Sequence, residues 1–154
     1  MIKGKTIWIA LIAIVVVMQL LPSGLPEVTN QNTNDLIVNN KIPDSVVYLL
    51  KTACYDCHSN ETVYPWYSYL APVSWLVARD TKLGREELNF SLWESNNKMK
   101  KAKYLDNIVE EVSDGGMPMA IYPLMHPEAK LIKSDRQMIV DWAEEYGEGL
   151  FRGE

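Results

Sequence analysis

The chain is poor in the residues that build metal clusters and covalent frameworks. Its 154 residues include two cysteines and two histidines. Cys54 and Cys57 sit in one short run, so no cysteine remains for a structural disulfide elsewhere. His58 and His126 lie far apart, so the chain lacks the second two-ligand knuckle that usually joins C-x-x-C in structural zinc sites. No stretch reads convincingly as a β-strand, which removes the βαβ context that a thioredoxin-like dithiol needs. There is no internal repeat. Basic charge is also short: 15 Lys and Arg stand against 20 Asp and Glu, a net charge of −5. Every acidic residue lies beyond the first apolar run, while Lys3 and Lys5 precede it, so the remainder is more acidic still. Such a surface argues against nucleic acid and against binding anionic lipid.

Long apolar stretches are confined to the N-terminus. Ile7 to Met18 is apolar on every face, and Leu20 and Leu21 extend the run beyond Gln19. That is the length of a signal-peptide core or a short membrane span, a full span needing about 20 residues. No small-x-small cleavage site follows, so residues 1–21 are expected to be an uncleaved membrane anchor, with a removed signal peptide as the alternative. Lys3 and Lys5 would stay in the cytoplasm and everything after Pro22 would lie outside it. Residues 22–41 carry Pro22, Gly24, Pro26 and several asparagines, which favour turns, and read as a flexible tether.

From residue 42 to 154 the pattern is helical. Pro43-Asp44-Ser45 opens a helix, and Val46, Val47, Leu50, Ala53 and Cys54 follow at helical spacing. Pro72 to Asp80 reads as a helix with Val73, Leu76 and Val77 on one side, and 88–93 as an ordered loop. Asn97 to Ser113 carries Ala102, Leu105, Ile108, Val109 and Val112 on one face and stops at Asp114-Gly115-Gly116. A last helix starts at Ser134, with Gln137 completing a capping box. Its expected apolar stripe is Met138, Ile139, Trp142 and Tyr146, and Gly147 is its expected end. The domain is expected to be all-α.

One run carries chemistry. Cys54-Tyr55-Asp56-Cys57-His58 is C-x-x-C-H, the attachment signature of c-type haem. Two thiols add across the porphyrin vinyl groups, and the adjoining histidine becomes the proximal iron ligand. Zinc on Cys54, Cys57, His58 and His126 is the first rival. It is weakened because His58 adjoins Cys57, which makes tetrahedral ligation by both awkward.

A helix entering C-x-x-C-H and a second helix at the C-terminus resemble the cytochrome c fold. There, a methionine from a later loop closes the other face of the haem, and Gly115-Gly116-Met117-Pro118 stands at the matching place. The wider pattern is similar to the haem-binding-domain family of membrane-anchored bacterial c-type cytochromes. The matching residues are Cys54 to Ser59, Tyr64-Pro65-Trp66-Tyr67-Ser68, Ala71-Pro72-Val73-Ser74-Trp75, Gly84-Arg85, Leu88-Asn89-Phe90-Ser91, Met117-Pro118, His126-Pro127 and Trp142. The resemblance implies a helical domain around one covalent haem c. It names no reaction.

Met117 is the expected sixth ligand: Pro118 fixes the backbone after it and the two glycines allow close approach to the porphyrin. Met119, Met125 and His126 are alternatives from the same loop, and His126 has the plainer role of pinning it. Trp66, Tyr67, Tyr69, Trp75 and Trp93 read as core or haem-edge packing, and one of them, or Arg79 or Arg85, is a candidate propionate partner. The expected function is single-electron transfer rather than enzymatic turnover. The expected location is the periplasmic face of the bacterial inner membrane, or the periplasm if the leader is cleaved. The expected partners are redox proteins of a respiratory or other electron-transfer chain. The alternatives are a peroxidase-like enzyme or gas sensor with an open iron, and a structural haem subunit of a membrane complex.

Overall fold

The structure is a computed structural model and describes residues 4–152. Lys3, expected to mark the cytoplasmic side of the apolar run, lies outside the described residues. The helices are α1 (Gly4–Gln19), α2 (Leu36–Asn39), α3 (Asp44–Ala53), α4 (Tyr55–His58), α5 (Val73–Glu87), α6 (Lys98–Ser113), α7 (Tyr122–Met125) and α8 (Lys133–Gly149). Short 3₁₀ turns cover Trp66–Tyr69, Phe90–Ser95 and Pro127–Ala129. The described residues form no β-strand, and the fold is all-α as expected.

Local chemistry explains where the helices begin and end. Asp44 places a negative charge in the first turn of α3. The Asn97 side chain accepts the Lys100 N–H at 2.9 Å and starts α6. Gly115, at φ +79°, takes the left-handed conformation just past the end of α6. The last helix differs from expectation at both ends. It begins at Lys133, and its reciprocal cap bond comes from Asp135, whose carboxylate accepts the Ile132 N–H at 3.0 Å, not from Ser134 and Gln137. It also runs past Gly147 to Gly149, because α6 lies alongside and Leu105 packs over the Gly147 backbone.

Packing corrects two amphipathic faces. In α8 the core residues are Ile139, Trp142 and Ala143, while Met138 is 38 % exposed. In α5 the expected stripe points outward: Val73 and Leu76 are 41 % and 50 % exposed. Ser74, Ala78 and Thr81 are buried instead. Small residues on that face let α5 lie close against α4 and the C-x-x-C-H run. The rest of the core is Val46, Leu49 and Leu50 of α3, Leu105, Ile108 and Val112 of α6, and Phe90 and Trp93 from the 3₁₀ turn between α5 and α6. The Trp93 indole donates to the Tyr146 hydroxyl at 3.2 Å, and that hydroxyl donates to Asn40 at 2.7 Å.

The N-terminal expectations are corrected too. α1 is a 16-residue helix with no buried residue, about 24 Å long at 1.5 Å per residue. A bilayer core is about 30 Å thick. Among the described residues no helix is long and apolar enough to cross a membrane, so the expected transmembrane anchor is not supported. The helix stops at Gln19, whose side chain exchanges two hydrogen bonds with the Ala71 backbone, at 3.0 and 3.1 Å.

The segment read as a tether is in large part docked on the domain. Asp35 and Leu36 are fully buried. Thr29 N–H donates to the Asn60 carbonyl at 2.8 Å, and the Asp35 carboxylate accepts both the Ile37 N–H (2.9 Å) and the Tyr55 hydroxyl (3.0 Å). Asparagine-rich composition suggests turns, but it does not reveal which amides find partners.

Asp35→Ala is expected to destabilise the protein by about 2–4 kcal/mol, the sum of a lost N-cap and a buried tyrosine hydroxyl left unpaired. Asp35→Asn, which keeps an acceptor oxygen, should cost less than half of that. Urea unfolding of the two variants beside the wild type measures both.

Candidate cofactor site

α3 ends at Ala53, and Cys54 leads directly into α4, so both thiols and His58 are delivered by one compact turn. They line a cavity of about 520 Å³, within the range of small-molecule and cofactor pockets. Its apolar lining includes Leu50, Leu83, Leu88, Phe90, Ile108 and Val112, drawn from α3, α5, α6 and the turn between the last two. Met117, Pro118 and Met119 line the same cavity. A chain segment far from the C-x-x-C-H run is thus brought to the same space by the course of α6.

The three motif side chains are prepared in different ways. Cys54 and Cys57 are free thiols. Burial pushes Cys54 up to about 12 and Cys57 to about 11, with the nearby Cys57 and Asp56 charges adding to the respective shifts. Both are therefore neutral thiols at pH 7. The His58 Nδ1 lies 3.1 Å from the Leu88 carbonyl. A carbonyl only accepts, so Nδ1 carries the proton and Nε2 keeps its lone pair. Burial holds the imidazole pKa below its usual value, which favours the neutral form a metal ligand requires.

The close contact of α5 with the motif depends on one residue. A Cβ on Gly84 would stand 2.6 Å from the Cys57 carbonyl oxygen and 3.1 Å from the Cys57 Cβ. Both are fixed parts of the motif, so no side chain fits there. Gly84 lets α5 approach until Leu88, at its C-terminus, offers its carbonyl to His58. Gly84 is part of the family resemblance, but nothing in its sequence neighbourhood assigns it this contact.

The remaining sequence candidates separate cleanly. His126 does not line the cavity. Its Nε2 shares a hydrogen bond with the Tyr67 hydroxyl at 2.5 Å, and its ring stacks on Tyr122 at 4.2 Å, so it pins the loop. Met125 is 56 % exposed. Gly115 and Gly116 turn the chain at the end of α6 but do not line the cavity, so the close approach to a porphyrin expected of them is not seen. None of Trp66, Tyr67, Tyr69, Trp75 and Trp93 lines the cavity; its aromatic residues are Phe90, Tyr104 and Tyr122. Arg79 does line it, while Arg85 donates to the Glu27 carbonyl at 2.7 Å and the Thr62 hydroxyl at 2.9 Å. Among the described residues no cluster of three or more His, Cys, Asp or Glu is arranged to hold a metal ion, so the four-ligand zinc set is not assembled.

Several residues that tie the site together carry no sequence signal. Asp56, between the two cysteines, accepts the Val63 N–H at 2.9 Å and the Tyr122 hydroxyl at 2.6 Å. Burial and that carboxylate raise the Tyr122 pKa, so its hydroxyl remains a donor. Tyr55 stacks on Phe90 at 5.0 Å, which fixes the face of the motif turned away from the thiols. Arg136 of α8 donates to the Val112 and Met117 carbonyls at 2.9 and 2.7 Å.

The helical domain thus surrounds a cavity with two thiols and an imidazole on its lining, a donor set that fits a haem. The chain belongs to the haem-binding domain family, whose model matches residues 13–145. No curated protein and no solved structure matches it.

Gly84→Ala tests the close contact, because two effects oppose each other. In a helix interior alanine is favoured over glycine by about 1 kcal/mol. The backbone overlap with Cys57 should cost more, about 1–3 kcal/mol of overpacking or greater. Net destabilisation in thermal unfolding, together with a lower yield of haem-loaded protein, is expected. Stabilisation would mean that α5 does not press on the motif.

Proposed function

We propose that this is a monohaem c-type cytochrome that transfers single electrons outside the cytoplasm. Cys54 and Cys57 would hold the haem through thioethers, and His58 and Met117 would ligate its iron. The observation that carries the reading is that Cys54, Cys57, His58 and Met117 line one cavity while the His58 Nδ1 is committed to the Leu88 carbonyl. When bound, the haem supplies a one-electron couple, and Met/His ligation raises its potential.

The chain's own residues account for the rest. Leu88 orients the imidazole and leaves Nε2 free to ligate. The apolar part of the lining would pack against the porphyrin, while Arg79, Asp80, Glu87, Glu110 and Glu111 place charged groups on the same cavity. Met117 is preferred to Met119 because its backbone is held on both sides, its N–H by the Glu111 carbonyl at 3.0 Å and its carbonyl by Arg136. Arg79, a cation on the lining, is the candidate partner for a propionate.

The location is part of the same proposal. Covalent haem attachment and an apolar run of signal-peptide length both support export to the periplasmic side. An acidic domain can be steered toward basic redox proteins of an electron-transfer chain.

Two measurements test the reading. Protein made together with haem-attachment machinery should carry the mass of one haem after denaturation, and Cys54→Ala combined with Cys57→Ala should lose it. An intact mass equal to the bare chain would overturn covalent attachment. Ferric wild type should show the weak red-edge charge-transfer band of thioether ligation, and Met117→Ala should abolish it, lower the potential and open ferrous iron to carbon monoxide. If wild-type ferrous protein already bound carbon monoxide readily, an open-site enzyme or sensor would replace the electron carrier.

A further inference from the structure

We propose that Arg136 is a positioning residue for the second axial ligand, a latch by which the C-terminal helix keeps Met117 on the iron. This rests on the reading of Met117 as that ligand. One guanidinium nitrogen of Arg136, on the first turns of α8, donates to the Val112 carbonyl at 2.9 Å and the Met117 carbonyl at 2.7 Å. Val112 belongs to the last turn of α6, where its carbonyl also takes the Gly115 N–H at 3.3 Å. A cation there also answers the negative end of the helix dipole. The same group then holds the peptide of Met117, just past the turn made by Gly115 and Gly116. α6, the loop and α8 are thus joined at one atom.

That junction adds to one backbone hold at Met117, whose N–H donates to the Glu111 carbonyl at 3.0 Å, by fixing the carbonyl on its other side. The preceding residues, Ser113 to Gly116, are all exposed. A Cβ on Gly116 would meet the end of the Glu111 side chain and, at 3.6 Å, the Glu111 carbonyl oxygen. The next side-chain hold on the loop is the Tyr122 hydroxyl on Asp56, five residues on. Between them, Pro118 is buried and Met117 and Met119 are half-buried. A thioether is a weak, neutral ligand, so small changes in loop freedom move its occupancy. Charge-assisted bonds from arginine are among the stronger ones available to do this. Lysine is not equivalent, because its ammonium lacks the planar guanidinium geometry.

The test uses the full-length haem-loaded protein. Arg136→Gln should raise the rate of carbon monoxide binding to ferrous protein by about tenfold or more, as a shift in the open-loop population does. It should also weaken the ferric red-edge band and lower the potential, while haem remains covalently attached. Arg136→Lys should change the same three readouts in the same direction with smaller amplitude, and serves if the glutamine variant does not fold. The decisive comparison is made in the Met117→Ala background, where Arg136→Gln should add nothing to carbon monoxide binding, because its effect passes through Met117. Wild-type binding rates in both single variants, or an undiminished effect of Arg136→Gln in the Met117→Ala background, would overturn the latch. A Met117→Ala variant that itself bound carbon monoxide no faster than wild type would instead overturn the ligand assignment beneath it.

Discussion

The backbones of Cys57 and Gly84 approach until no Cβ fits between them, and the architecture of the site follows from that contact. Because α5 presses on the motif, its buried face must be small, and Ser74, Ala78 and Thr81 occupy it while Val73 and Leu76 are turned outward. The C-terminal end of α5 then lies beside His58, and the Leu88 carbonyl takes the Nδ1 proton. One close packing contact therefore sets the tautomer of a histidine on a neighbouring element.

A set of buried and half-buried polar groups also holds the motif. Tyr55 stacks on Phe90 and bonds to Asp35, which is itself buried and caps α2. Asp56 faces the other way and takes the Tyr122 hydroxyl. The two residues between the cysteines thus connect the motif to the N-terminal segment and to the loop that carries Met117. Buried polar groups of this kind are costly when unpaired, so each pairing selects one arrangement of distant segments. His126 belongs to this scaffold: its ring nitrogen and its ring face are both occupied by tyrosines.

Several features are legible in the order of the residues. The attachment run, the helix that leads into it, and α6 with its capping asparagine and terminating glycines all rest on local chemistry. So does the all-helical character, which comes from periodicity and the lack of strand patterns. Met117 stands out because Gly-Gly-Met-Pro breaks a strong helical pattern, and the fold brings it to the cavity with His58. The points that differ from expectation have a common origin. The exposed apolar face of α5 and the exposure of Met138 arise because apolar spacing shows that a face exists, without showing which neighbour it meets. The asparagine-rich segment resembles a tether because side-chain amides reveal their partners only in three dimensions.

By itself, the sequence determined the helical class, the C-x-x-C-H run and the Gly-Gly-Met-Pro loop, since each depends on residues close in the chain. Tertiary structure alone decided the roles of Gly84, Leu88, Asp35, Tyr122 and Arg136, and removed His126 from the cavity. The physical reason is that these roles are contacts between segments far apart in the chain. A carbonyl, a missing Cβ or a guanidinium has no function of its own until packing places a particular partner within about 3 Å of it.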